Sequence, residues 1–189
     1  MTAAREHDTD LIRVITADHR EVERVFDELE SGQGTPEHRR ALADHVITQL
    51  VRHAVAEEQF MYPAARKVLP NGDEVADHEL REHAEAELVM KELEGLEPTD
   101  PRFDQLLGEL MREIRHHIQD EESDLLPQLA ARCSAEDLQE LGRKVIAAKK
   151  VAPTRPHPAA PDKPPANLLL NPGTGLIDRL RDALSGRNS

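Results

Sequence analysis

A chain of 189 residues with 37 Asp and Glu against 24 Lys and Arg carries a formal net charge of −13, a field that argues against nucleic acid and anionic membrane as partners. Aromatic residues make up only 2% of it, too few for a sandwich or barrel, and the single cysteine, Cys133, cannot form an internal disulfide and does not suggest a thiolate metal site. The expectation is a nearly all-α protein. The N-terminal residues lack the apolar run of a signal peptide, no stretch reads as a bilayer span, and the expected location is the cytoplasm.

In chain order, Thr9 or Asp10 caps a first helix that runs to about Glu30. Its apolar stripe, Leu11, Ile15, Val22, Phe26 and Leu29, passes through His19. After the turn Ser31-Gly-Gln-Gly34, Thr35-Pro36 reads as a cap with proline in the first turn. The second helix carries Leu42, Val46, Leu50, His53, Glu57, Phe60 with Met61, and Ala64 on one stripe. Pro63 is expected to bend or end it. A third helix, from about Asp73 to Leu96, shows Ala76, Glu79, His83, Ala86, Met90 and Leu93. The fourth, entered through Asp100-Pro101, shows Leu106, Leu110, Ile114, His117, Glu121 and Leu125.

Two stretches share one skeleton: His53-x-x-x-Glu57 followed by Pro63, and His117-x-x-x-Glu121 followed by Pro127, 64 residues apart. At the same offset His19 meets His83, Val25 meets Val89, Thr35 meets Thr99 and Leu42 meets Leu106. Side chains four apart share a helix face, so each copy sets an imidazole beside a carboxylate. A duplicated helical hairpin closes into an antiparallel up-down four-helix bundle. The expected organisation is that bundle over residues 1–131, a further helix packed on one end of it over 132–151, a Pro-rich linker over 152–167, and a short amphipathic segment over 168–189 that must dock on something. Ser134 to Asp137 signals the start of the further helix.

The bundle interior then receives His19, His53, Glu57, His83, His117 and Glu121. Nitrogen and oxygen donors without thiolate suit iron or manganese, with zinc possible. Two octahedral ions offer about twelve positions, of which four imidazoles and two bridging carboxylates take about eight and an oxide or hydroxide bridge about two more. The remainder admits dioxygen, nitric oxide or peroxide. A single histidine on an apolar stripe is more often a core residue bonded to a carbonyl; the weight lies in all four stripes carrying one at one repeat offset. Glu79 is either an extra ligand or part of a salt bridge. Glu58 and Glu122 lie one residue off the inner face and read as supports or interhelical ion pairs. Tyr62, the only tyrosine, either donates to a bound oxygen species or closes the bundle. His7, His38, His45, His78, His116 and His157 read as surface or linker residues.

These motifs, with Met61-Tyr-Pro63 after the first pair, resemble the hemerythrin-like, or HHE cation-binding, family over roughly residues 10 to 130. The resemblance implies a non-haem di-iron centre, oxo- or hydroxo-bridged, held at those six positions. Oxygen-carrying hemerythrins have a further histidine where Glu79 stands and Asp where Glu121 stands. The carboxylate-richer set is therefore closer to HHE proteins linked to iron or oxygen sensing, nitric oxide response and peroxide chemistry. The expected function is binding or sensing a small oxidant, with peroxide disproportionation or ferrous-iron oxidation as the enzymatic alternative. A structural metal, iron storage, or a tail that docks a protein partner completes the set of readings.

Overall fold

The computed structural model describes residues 9–159 and residue 182, and every one of its elements is helical. His7, residues 160–167 of the expected linker and, apart from Asp182, the amphipathic segment 168–189 lie outside the described residues. Helix α1 (Leu11–Glu30) is followed by α2 (Pro36–Ala56), which passes through a π-helical turn at Glu57–Met61 into α3 (Tyr62–Val68). Helix α4 (Gly72–Glu94) is followed by α5 (Pro101–Asp120), which passes through a second π turn at Glu121–Leu125 into α6 (Leu126–Arg132), and α7 spans Ala135–Val151. Read as continuous rods these are five, joined by short turns and packed on their neighbours.

The capping residues act as their chemistry dictates. Asp10 accepts from the amides of Ile12 and Arg13, Thr35 from His38, and Asp100 from Arg102, each satisfying first-turn N–H groups that have no partner within the helix. Ser134 and Asp137 exchange side-chain and backbone hydrogen bonds in a full capping box. Gly32 has φ +65 in the turn after α1, where a side chain would be strained.

Pro63 and Pro127 neither end nor break their helices. Each is the second residue after a π turn in which an N–H reaches five residues back, from Tyr62 to Glu57 and from Leu126 to Glu121. The widened turn lets the chain pass a residue with no amide proton, and the rod continues.

Two apolar clusters fill the bundle. One is built around Phe26, Ile47, Leu93, Phe103 and Leu110; the other is built around Leu11, Ile15, Met61, Leu125 and Leu129. Along each rod the histidine stripe falls between them, so a polar layer is sealed by apolar residues on both sides.

Two expectations are corrected. Helix α7 lies alongside the bundle, against α1, α2 and the first π turn, and not on its end. Gly142 permits this: a Cβ there would sit 1.9 Å from the Thr9 carbonyl oxygen at the entry to α1. The first residues of the Pro-rich stretch are also not a free linker. Ala152 and Thr154 are buried, Arg155 pairs with Glu94 and with Asp182, and the His157 amide donates to Glu87. No helix among the described residues is long and apolar enough to cross a membrane.

Candidate metal centre

The six inner residues predicted from the stripes meet in one layer. Each histidine is buried and both glutamates are fully so. Their positions follow from local structure: His53 and His117 occupy the last turns of α2 and α5, and Glu57 and Glu121 are the first residues of the two π turns. Inserting a π turn rotates everything after it relative to the preceding helix, so the carboxylate keeps its face beside the histidine while the chain beyond re-registers.

The carboxylates each turn two oxygens to two different histidines. Glu57 Oε1 lies 3.0 Å from His53 Nε2 and Oε2 lies 3.5 Å from His83 Nε2. Glu121 Oε2 lies 3.4 Å from His19 Nε2 and Oε1 lies 3.8 Å from His117 Nε2. The layer therefore divides into two donor groups, His19, His53, Glu57 and Glu121 on one side and Glu57, His83 and His117 on the other. Within each group the ligand atoms lie within 4.8 Å of one another, close enough to hold a metal ion. The imidazole rings pair correspondingly, His19 with His53 at 5.1 Å and His83 with His117 at 4.8 Å between centroids.

The outward ring nitrogens settle how each imidazole is oriented. His19 Nδ1 donates to Glu122 at 2.8 Å, His53 Nδ1 to Asp18 at 3.2 Å, His83 Nδ1 to Glu58 at 3.1 Å, and His117 Nδ1 to Glu82 at 3.0 Å. A carboxylate can only accept, so the Nδ1 position carries the proton and the Nε2 lone pair of a neutral ring faces the interior. Among the described residues the buried atoms without a hydrogen-bond partner include His19 Nε2, His53 Nε2, Glu57 Oε1 and Glu121 Oε2, the donors of the first group. Four unsatisfied donors converging in an apolar bundle are costly unless a cation joins them, and their chemistry fits iron, manganese or zinc.

The electrostatics agree. Burial alone would lower the His53 pKa, but Glu57 and Asp18 raise it to about 10. His83 is raised to about 9 against the same burial by Glu57 and Glu58, and His117 rises well above its ordinary value through Glu121, Glu79 and Glu82. Burial works against ionised Glu57, yet His53 and His83 hold it well below the usual carboxylate range. The pocket is thus a strongly cation-seeking one, whose imidazoles take protons when no metal competes for them.

The remaining sequence expectations resolve as follows. Glu58 and Glu122 hold His83 and His19 from behind, and Glu122 also pairs with Arg20. Glu79 is buried with Oε2 3.0 Å from His117 Nδ1, behind the ring, and burial raises its pKa. The Tyr62 hydroxyl is inside the layer, donating to Glu121 Oε1 at 3.1 Å, with His83 Nε2 at 3.0 Å and Glu57 Oε2 at 3.5 Å. Burial and the surrounding carboxylates push its pKa well above 10. His38, His78 and His116 are exposed, His45 is part-exposed, and His157 is half-buried on the bundle. The supports missed from sequence are Asp18 and Glu82. Each immediately precedes an inner histidine and the two stand 64 residues apart, a signal present in the repeat.

Comparison with known proteins places this arrangement. The profile of the Hemerythrin HHE cation binding domain matches residues 10–129. An uncharacterized hemerythrin-like protein of Schizosaccharomyces pombe is 29% identical over 171 residues, covering 90% of this chain and 84% of that one. A protein of Nostoc sp. named as a DNA nickase is 26% identical over 144 residues, 76% of this chain but 40% of its own length. The crystal structure of a hemerythrin HHE cation binding domain-containing protein from Mycobacterium kansasii superposes with a TM-score of 0.65 at 20% identity, covering 75% of this chain and 85% of that one, a likeness of fold. With paired histidines, two-faced carboxylates and the profile match over most of its bundle, the chain belongs to the hemerythrin HHE cation-binding family.

Proposed function

We propose that the chain holds two iron ions side by side and uses them to bind or sense a small oxidant, dioxygen, nitric oxide or peroxide. The observation that carries this reading is the presentation of Glu57 and Glu121, each with one oxygen toward each histidine pair. In this reading His19, His53 and Glu121 would hold one ion, His83 and His117 the other, and Glu57, which belongs to both donor groups, would serve the two. Manganese or zinc fits the same donors. Iron, when bound, supplies reversible electron transfer and Lewis acidity toward the oxidant.

The chain's own residues then do three things. Asp18, Glu58, Glu82 and Glu122 fix the ring orientations and raise imidazole basicity. Val22, Leu50, Met90, Ile114 and Ile118 wall a small, largely apolar cavity of about 30 Å³ against the imidazoles, which supports a ligand of a few atoms. Tyr62 presents a hydroxyl donor in the same layer.

Metal analysis together with the optical spectrum of the aerobic protein tests the reading. About two irons per chain and charge-transfer absorption that responds to nitric oxide or peroxide are expected; fewer than about two irons per chain, or no such absorption, would overturn it. The Tyr62 hydroxyl favours a second reading, an enzyme that disproportionates peroxide or oxidises ferrous iron with Tyr62 or Glu58 moving the proton. Sustained oxygen release from peroxide that falls in Tyr62→Phe supports it, and stoichiometric bleaching without turnover removes it.

A further inference from the structure

The inner layer does not exhaust the metal-ligating side chains. On the outer face of α4 and α5, His78 and Glu82 stand four residues apart on one helix, and His116 and Asp120 stand four apart on the next. This is the same histidine-carboxylate spacing as the inner pairs, turned to solvent. His78 Nε2 lies 3.5 Å from Glu82 Oε1 and 3.7 Å from Asp120 Oδ2. His116 Nδ1 lies 3.3 Å and 3.5 Å from the same two oxygens. These separations are long for hydrogen bonds, but donors placed tetrahedrally at about 2.0–2.1 Å around zinc are about 3.3–3.4 Å apart. The ligand atoms of His78, Glu82 and Asp120 lie within 4.8 Å of one another.

The repeat supplies a second, independent observation. Glu82 is the counterpart of Asp18, 64 residues earlier, and each accepts the Nδ1 proton of an inner histidine. In the first half the other oxygen of that carboxylate meets a cation, Asp18 Oδ1 holding the Lys149 ammonium at 2.5 Å. In the second half the other oxygen, Glu82 Oε1, meets two imidazoles instead. The counterparts of His78, His116 and Asp120 in the first half are Val14, Arg52 and Ala56, so the outer cluster belongs to one half alone.

We propose that His78, Glu82, His116 and Asp120 form an outer site for one divalent cation of the zinc type, standing where the first half has Lys149. Glu82 joins this site to the inner layer, since its Oε2 accepts from His117 Nδ1 at 3.0 Å. The outer site is open to solvent, with His78 and His116 side chains 47% and 64% exposed, so it loads without opening the bundle.

Zinc titration of the full-length, metal-loaded protein against a chromogenic chelator tests this, with the inner metal content measured on the same samples. Wild type and the surface control His45→Ala are expected to take up one zinc per chain more than the double variant His78→Ala/His116→Ala. With iron in the inner layer, X-ray absorption at the zinc edge should show a nitrogen and oxygen shell at about 2.0–2.1 Å in the first two samples only. Equal uptake by wild type and the double variant, or equal loss in His45→Ala, would overturn the site. The count is a difference between variants, so it stands whatever the inner centre holds, and a failure of the di-iron reading shows separately in the inner metal content. Both substituted positions are exposed, and unchanged circular dichroism confirms that the fold is intact.

Discussion

The two hairpins are copies with different outsides. Each contributes a histidine on its first rod, a histidine and a glutamate on its second, a π turn beginning at that glutamate, and a proline just beyond it. Each also holds its partner's or its own imidazoles from behind with an acid, Asp18 and Glu58 in the first, Glu82 and Glu122 in the second. The outer faces differ. The first hairpin is covered by α7, its Val14 and Ala56 are buried, and Lys149 sits on Asp18. The second shows His78 and His116 to solvent at the equivalent place, with part-exposed Asp120 beside them. The interior is constrained twice over by one coordination chemistry, whereas each surface answers only to what lies against it.

The inner equivalence is broken most severely at the carboxylates. Glu57→Ala and Glu121→Ala are expected to lose metal to a similar extent, and metal content with melting temperature checks it. An unequal loss would mean that the two carboxylates do not play matching roles. Chelation should lower the melting temperature of the wild type by many degrees, because convergent donors are left unpaired.

A pH series sharpens the same point. In the metal-free fold His53 and His83 are raised to about 10 and about 9 from an ordinary 6.5. The folded chain therefore binds more protons than the unfolded chain between those values. Its stability is complete below about pH 6.5 and declines as pH rises through 9 to 10. Metal uptake should strengthen over the same range as protons cease to compete. Melting curves of chelated and loaded protein from pH 6 to 10 test the opposed slopes.

Asp18→Asn and Glu82→Gln remove equivalent supports, and each should weaken metal binding about 10–100-fold, read by competition with a chelator. Gly142→Ala acts on the first hairpin only. Its methyl would meet the Thr9 carbonyl, and a loss of about 1–3 kcal/mol in denaturant unfolding is expected. Lys149→Met should be mildest, at about 1 kcal/mol or less for a half-buried pair, with the inner metal retained.

Much of this was legible because helical periodicity and capping are local. Asp10, Thr35, Asp100 and Ser134 mark the starts of their helices, and histidines in apolar stripes mark the inner face. Asp18 and Glu82 were not legible one helix at a time, because an acid beside a stripe looks like ordinary solvated surface. The π turns were hidden too, since a single widened turn leaves no periodic trace; it surfaces as buried Met61 next to half-buried Phe60, where the stripe admitted both. The side-on placement of α7 depends on a backbone approach at Gly142 that composition does not announce. Nor does a run of prolines reveal that Ala152 and Thr154 are buried.

The pairing of Lys149 with Asp18 also has a meaning in time. The two residues are 131 positions apart, while most of the bundle is built from neighbours in sequence joined by short turns. Closing so long a loop carries a larger entropic cost than forming either hairpin, and on a growing chain the lysine is made after both hairpins are complete. The helix that covers α1 is thus made after the two hairpins it packs on. Until it packs, the carboxylate that orients His53 lacks its lysine, and the first hairpin is completed later than the second although it is made earlier.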